Sequence, residues 1–138
     1  MSTKKTPKAP VYIGKRKKAV ARAFVTKGTG NVSVNNVPLG EMTNKMVQLR
    51  IQEPLLIAGD INKHINISVI VNGGGIMGQA EASRQAIARA LIAQQPELKE
   101  QYLKYDRFMI VYDPRRTEPH KPPHSSWGAR RYKQRSKR

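Results

Sequence analysis

Ile65-Asn66-Ile67-Ser68-Val69-Ile70-Val71-Asn72-Gly73-Gly74-Gly75-Ile76-Met77-Gly78-Gln79-Ala80-Glu81-Ala82-Ser83-Arg84-Gln85-Ala86-Ile87-Ala88-Arg89-Ala90-Leu91-Ile92-Ala93 is the stretch on which the fold turns. Residues 65–71 largely alternate apolar and polar side chains, the pattern of a half-buried strand. Three glycines then interrupt it, because residues without a Cβ reach backbone angles closed to others. From Gln79 onward, alanine, leucine and arginine favour helix. Ala80, Ser83, Ile87, Ala90, Leu91 and Gln94 fall on one side at helical spacing. Most of them are small, so that side can approach a sheet closely. The unit reads as strand, glycine turn, helix.

Gly73-x-Gly75-x-x-Gly78 matches the dinucleotide-binding fingerprint literally. That fingerprint also needs an acid about 20 residues further on, at the end of the next strand. Asp113 closes the next strand-like run and comes too late, while Glu97 and Glu100 sit in a helical pattern. The glycines therefore read as a tight turn, and no cofactor or small-molecule substrate is expected. A phosphate contact at Gly73, Gly74 and Gly75 stays open, since N–H groups at a helix start attract anions; that phosphate can belong to RNA.

Charge is the most informative part of the composition. The 138 residues carry 26 Lys or Arg against 9 Asp or Glu, a formal net charge of +17. Residues 1–27 hold nine cations and no acid, and residues 114–138 hold nine cations against Glu118 alone. The intervening body is balanced. Two such ends repel themselves unless a polyanion neutralises them, and nucleic acid is the first candidate, ahead of an anionic membrane surface. No apolar run is long enough for a membrane span, and none near Met1 resembles a secretory signal. With no cysteine there are no disulfides or thiolate metal sites.

Outward from the central stretch, residues 1–10 lack periodicity and read as a flexible basic leader. Residues 11–113 read as one globular domain. A strand begins at Val11, and Gly14-Lys15-Arg16-Lys17-Lys18 leads into a second over residues 19–26. There Val20, Arg22 and Phe24 share one face, and Ala19, Ala21, Ala23 and Val25 the other. With a strand over residues 31–35 this predicts a β-hairpin. A helix is expected over residues 41–51, with Met42, Met46, Val47 and Leu49 inward. Pro54 should end or kink it, leaving Leu55-Leu56-Ile57 as a short buried turn. His64 reads as a loop histidine. A third helix over residues 96–104 and a last strand over 108–112 complete the order β-β-β-α-β-α-α-β. The fold class is α+β: helices layered on one four- to five-stranded sheet.

Residues 114–138 hold too few aliphatic side chains to fold alone and read as an extended basic tail. Its cations suit phosphate, and Trp127 and Tyr132 suit base stacking. His120 and His124 are separated by prolines that forbid the helix needed to aim both at a metal; no metal site is expected. No histidine–nucleophile pattern or metal-ligand spacing points to an enzyme.

These motifs resemble the universal small-ribosomal-subunit protein nine family. The resemblance is carried by Gly14-Lys15-Arg16-Lys17-Lys18-Ala19-Val20-Ala21-Arg22-Ala23, by Gly73-Gly74-Gly75-Ile76-Met77-Gly78-Gln79-Ala80 with Arg84, by Tyr105-Asp106-Arg107, by Asp113-Pro114-Arg115-Arg116 and by Ser136-Lys137-Arg138. The run from Asp113 to Pro122 is most similar to the archaeal branch, although Lys137 departs from that branch's usual tyrosine. The resemblance implies a two-layer sandwich on a mixed sheet with a left-handed β-α-β crossover, against the usual handedness. It implies a cytoplasmic, non-catalytic constituent of the small ribosomal subunit. Its partners would be 16S-type rRNA of the subunit head, peptidyl-site tRNA and neighbouring head ribosomal proteins. On this chain Lys15, Arg16, Lys17, Lys18, Arg22, Arg115, Arg116, Arg130, Arg131, Tyr132, Lys133 and Arg135 would contact rRNA, and Lys137 and Arg138 would face the tRNA. A nucleotide-binding enzyme and a free, chromatin-like nucleic-acid binder are the competing readings.

Overall fold

A computed structural model describes residues 10–117. In chain order the elements are β1 Val11–Arg16, β2 Ala19–Lys27, β3 Val32–Val34, β4 Val37–Pro38, α1 Lys45–Ala58, β5 Ile65–Asn72, α2 Ile76–Gln94 and α3 Leu98–Tyr105. Short 3-10 turns occupy Leu39–Glu41, Gly59–His64 and Arg107–Met109. The strands form one mixed sheet in the order β1-β2-β5-β3-β4, antiparallel except where β3 runs parallel to β5. The three helices pack on this sheet as an α+β fold, in agreement with the expected class.

The central unit forms as the periodicity predicts. In β5, Ile65, Ile67, Val69 and Val71 are buried and Ser68, Ile70 and Asn72 exposed. The alanines of β2 face inward, with Arg22 exposed on the opposite face. α2 begins at Ile76, three residues earlier than helix propensity suggests, because Gly73 and Gly74 complete the turn at φ 78° and 68°. It is buried nearly all round from Ala82 to Ala88, sheet on one side and α1 on the other, while Gln94 is exposed. The closest approach is at Gly14 of β1. A Cβ there would lie 2.0 Å from the Ala82 carbonyl oxygen and 2.6 Å from the Ala86 nitrogen.

Two expected strand pairings are corrected. β2 and β3 do not form a hairpin: β5 lies between them, and the hairpin is β1–β2, closed by Lys17 and Lys18. The loop after β2 is instead held by the inserted strand. Gly28 donates its N–H to the His64 carbonyl, and the Asn66 side chain accepts from the amides of Thr29 and Asn31 at 2.9 and 3.0 Å. β3 turns into β4 through Asn35 and Asn36, both at positive φ, as a tight two-residue hairpin requires.

The second correction concerns residues 108–112, which form no strand. They run near the free edge of β1, but side chains occupy the groups a strand would use. Gln85 accepts from the Lys15 amide at 2.8 Å and donates to the Ile110 carbonyl at 3.3 Å. Arg89 donates to the carbonyls of Ile13 and Ile110, and its burial lowers its pKa. Two side chains of α2 thus replace a β-ladder.

α1 is shifted relative to expectation. Asn44 caps it, its side chain accepting from the amides of Met46 and Val47. From that start Gln48, Ile51, Leu55 and Ala58 face inward, while Met46 and Leu49 are 66% and 46% exposed. Pro54 lies inside the helix rather than ending it, and Leu56 points outward. Packing holds this turn together: the buried Tyr102 hydroxyl of α3 donates to the Pro54 carbonyl at 2.8 Å. Burial pushes the Tyr102 phenol well up. α3 starts two residues later than expected.

Arg84, 2% exposed, is the polar hub. Its Nε lies 2.6 Å from Glu53 of α1, off the line of a good hydrogen bond, and its Nη1 lies 2.8 Å from Asp106. Arg50 extends the network to Glu53 and Glu81 at 3.0 and 3.1 Å. Asp106 is held below its ordinary pKa: desolvation opposes this, but the Phe108 amide and Arg84 outweigh it. Removing one member of such a cluster leaves uncompensated charge in a poorly hydrated site.

Two stability predictions follow from this packing. Gly14→Ala should cost about 2 kcal/mol in urea unfolding, since the helix must move off the sheet; an unchanged midpoint would contradict the close approach. Arg84→Ala should cost about 3 kcal/mol, and Arg84→Met distinctly less if Glu53 is replaced by Gln in the same chain.

Candidate nucleic-acid interface

The β1–β2 hairpin carries the first basic cluster. Lys17 takes the turn at φ 53°, a left-handed angle uncommon for a residue with a side chain. Lys15, Lys17, Lys18 and Arg22 are exposed and make no salt bridge among the described residues. Four uncompensated cations on one short hairpin form a strongly positive surface. Lys15 and Arg22 point from the outer face of the sheet, and Lys17 and Lys18 from its end.

The glycine turn lies directly against that end. A Cβ on Gly73 would come within 2.6 Å of the Lys18 carbonyl oxygen, and one on Gly74 within 3.0 Å of the Ala19 nitrogen. Gly75 caps α2 without any side-chain hydrogen bond, and it alone of the three glycines has open space around its Cβ position. Lys17, Lys18, residues 74–78 and Thr117 line an open cavity of about 290 Å³. The site therefore combines ammonium groups with the positive end of a 19-residue helix, an arrangement that favours a phosphate. The sequence-predicted contacts at Lys17, Lys18, Gly74 and Gly75 come together here; Gly73 supplies the bend.

Arg16 and Arg115 have a different role. Both converge on Asp113, which is 4% exposed. Arg115 donates from Nε and Nη2 to this carboxylate at 3.0 and 2.6 Å, and its amide donates at 3.0 Å. Arg16 lies 3.3 Å away and donates to the Arg115 carbonyl. The hydrogen bonds from Arg115 hold the Asp113 carboxyl down at about 2, against partial desolvation and with help from Arg16. These two arginines fasten the chain leaving the domain to the end of β1, and the single Asp113 carboxylate offsets one of their two charges. Arg115 also stacks over Phe108, and Arg116 over Tyr112, whose hydroxyl accepts from the Arg116 Nε at 2.7 Å.

Sequence reasoning missed Asp113 as the anchor, and Gln85 and Arg89 as the groups that close the β1 edge. Their partners on β1 lie 70 or more positions away, and no local pattern announces them. The expected contacts at Arg130, Arg131, Tyr132, Lys133, Arg135, Lys137 and Arg138, the histidines His120 and His124, and most of the leader lie outside the described residues. Among the described residues no cluster of His, Asp or Glu is arranged to hold a metal. No helix there is long and apolar enough to cross a membrane.

Comparison with known proteins bears on the family of the chain. The sequence model of the family described as ribosomal protein S9/S16 matches residues 14–138. The small ribosomal subunit protein uS9 of Methanococcus vannielii is 44% identical over 128 residues, covering 91% of this chain and 96% of that one. The uS9 protein of Pyrobaculum aerophilum is 48% identical over 119 residues, 85% of this chain and 84% of its own. That of Methanococcus maripaludis is 42% identical over 128 residues, 91% and 96% of the two chains. With the family model matched over nearly the whole chain and relatives more than 40% identical across most of it, the chain belongs to the ribosomal protein S9 family.

Proposed function

We propose that this chain is a structural, non-catalytic constituent of the small ribosomal subunit in the cytoplasm, where it holds 16S-type rRNA of the subunit head. The observation that carries the proposal is the joining of Lys17 and Lys18 to the uncapped start of α2. Family membership supports the same reading. Lys15 and Arg22 extend the positive surface along the hairpin. Contacts of this kind position RNA through its phosphates without reading its bases.

The proposal extends along residues 114–138. Arg116, Arg130, Arg131, Lys133 and Arg135 contact rRNA phosphates, Tyr132 stacks on a base, and Lys137 and Arg138 face the backbone of peptidyl-site tRNA. The Asp113 clamp supports this division of labour, because it fixes where the basic segment leaves the domain. Arg16 and Arg115 then serve as positioning residues more than as phosphate ligands. Neighbouring head proteins are further partners.

Binding of the full chain to a head-domain rRNA fragment should weaken with salt. Lys17→Gly should reduce the log–log slope by about 0.9 on duplex or about 0.7 on unpaired RNA. The fold should be retained, since glycine suits the φ of 53° at this position. An unchanged slope would place the phosphates elsewhere.

Asp113→Asn tests the clamp. The folded-state pKa lies below the ordinary 3.8, so the carboxylate stabilises the fold above that value and loses its effect as pH falls towards about 2. The melting-temperature gap between wild type and Asp113→Asn should be full at neutral pH and shrink below pH 3.8. A gap independent of pH would show that the ion contacts contribute nothing.

A further inference from the structure

The helical layer lies on one face of the sheet, with α2 against β1, β2 and β5, and among the described residues the opposite face of these strands is open. The strand register sets its outward side chains in rows. Val11, Phe24 and Ser68 form one row, and Ile13, Arg22 and Ile70 the next. A third row sets Lys15 and Asn72 on either side of Val20. Ile13 and Ile70 are 40% and 46% exposed. No outward position on these strands is acidic.

We infer that this open face is a second RNA surface, taking an unpaired segment of ribosomal RNA across Phe24, Arg22 and Lys15. The inference rests on the proposed RNA-binding function and shares Lys15 and Arg22 with it, but the platform it adds, Phe24 with Val11, Ser68 and Asn72, lies on the sheet face away from the glycine turn. Three features select the occupant. Its only charges are cations, Arg22 and Lys15, one row apart, which complements a phosphate backbone. Rows on one face lie about 6.6 Å apart along the strands, the order of one nucleotide step in an extended chain. The Phe24 ring, flanked by Val11, offers a base-stacking platform, while Ser68 and Asn72 offer neutral hydrogen-bonding groups to base edges and 2′-hydroxyls. A protein helix suits the surface less well. Arg22 divides Ile13 from Ile70, and an apolar helix laid there would bury an unpaired guanidinium.

The test is a titration of isotopically labelled full-length protein with a short unstructured oligouridine, followed by NMR at physiological ionic strength. Resonances of Ile13, Phe24 and Ile70 should shift together. Phe24→Ala should weaken the binding that these resonances report about tenfold. Arg22→Gln, at an exposed position where folding is not at stake, should lower the salt slope of that binding by about 0.7. Shifts confined to Lys17, Lys18 and residues 73–78 would overturn this inference while leaving the RNA-binding function intact. Absence of any RNA binding would remove both. Displacement of oligouridine from the face by a designed acidic amphipathic peptide at lower concentration would assign the surface to protein instead.

Discussion

The seating of α2 on the sheet is the constraint that orders the rest of the molecule. Gly14, Ala19, Ala21 and Ala23 on the strands meet a helix rich in alanine, and the backbones come close enough that no Cβ fits at Gly14. Because the glycine turn joins β5 to this helix, the same seating brings the start of α2 against the tip of the β1–β2 hairpin. The basic turn and the helix N-terminus are therefore one site for a packing reason. A bulkier interface would separate them and weaken the combined field.

The cations divide into two groups according to what the acids of the domain do. Glu53, Glu81 and Asp106 are engaged by Arg50 and Arg84 between the helices, and Asp113 by Arg16 and Arg115 at the exit of the chain. Acid and base are matched inside the fold, where unpaired charge would be costly. Lys15, Lys17, Lys18 and Arg22 are left without acidic partners among the described residues. The acid-free block over residues 1–27 thus presents its folded cations on one hairpin, and local pairing, more than total charge, decides which cations are free to meet an anion.

Local patterns were the legible part of the sequence. The alternation in β5, the glycine break and the small face of α2 all act within a few residues, and all appear in the fold. Relations between distant segments were not legible. β2 and β3 look like a hairpin because they are adjacent in sequence; nothing near them reveals that β5 inserts between. Residues 108–112 have the composition of a strand, but Gln85 and Arg89 hold the edge they would need. The inward set of α1 was misjudged for a simpler reason: Asn44, a helix-capping residue in plain sight, fixes the start and therefore the phase. In the candidate site, the lysine cluster was legible as charge, whereas Asp113 gained meaning only when Arg16 was brought to it from 97 positions away.

Both borders of the sheet are shut by different means. On one side Gln85 and Arg89 cap the outward amide and carbonyl of β1; on the other, β4 is two residues long and ends in Pro38. Open borders would let one molecule add its strands to another's and grow into aggregates. Side-chain hydrogen bonds at one border and a proline at the other thus limit strand addition by means other than charge.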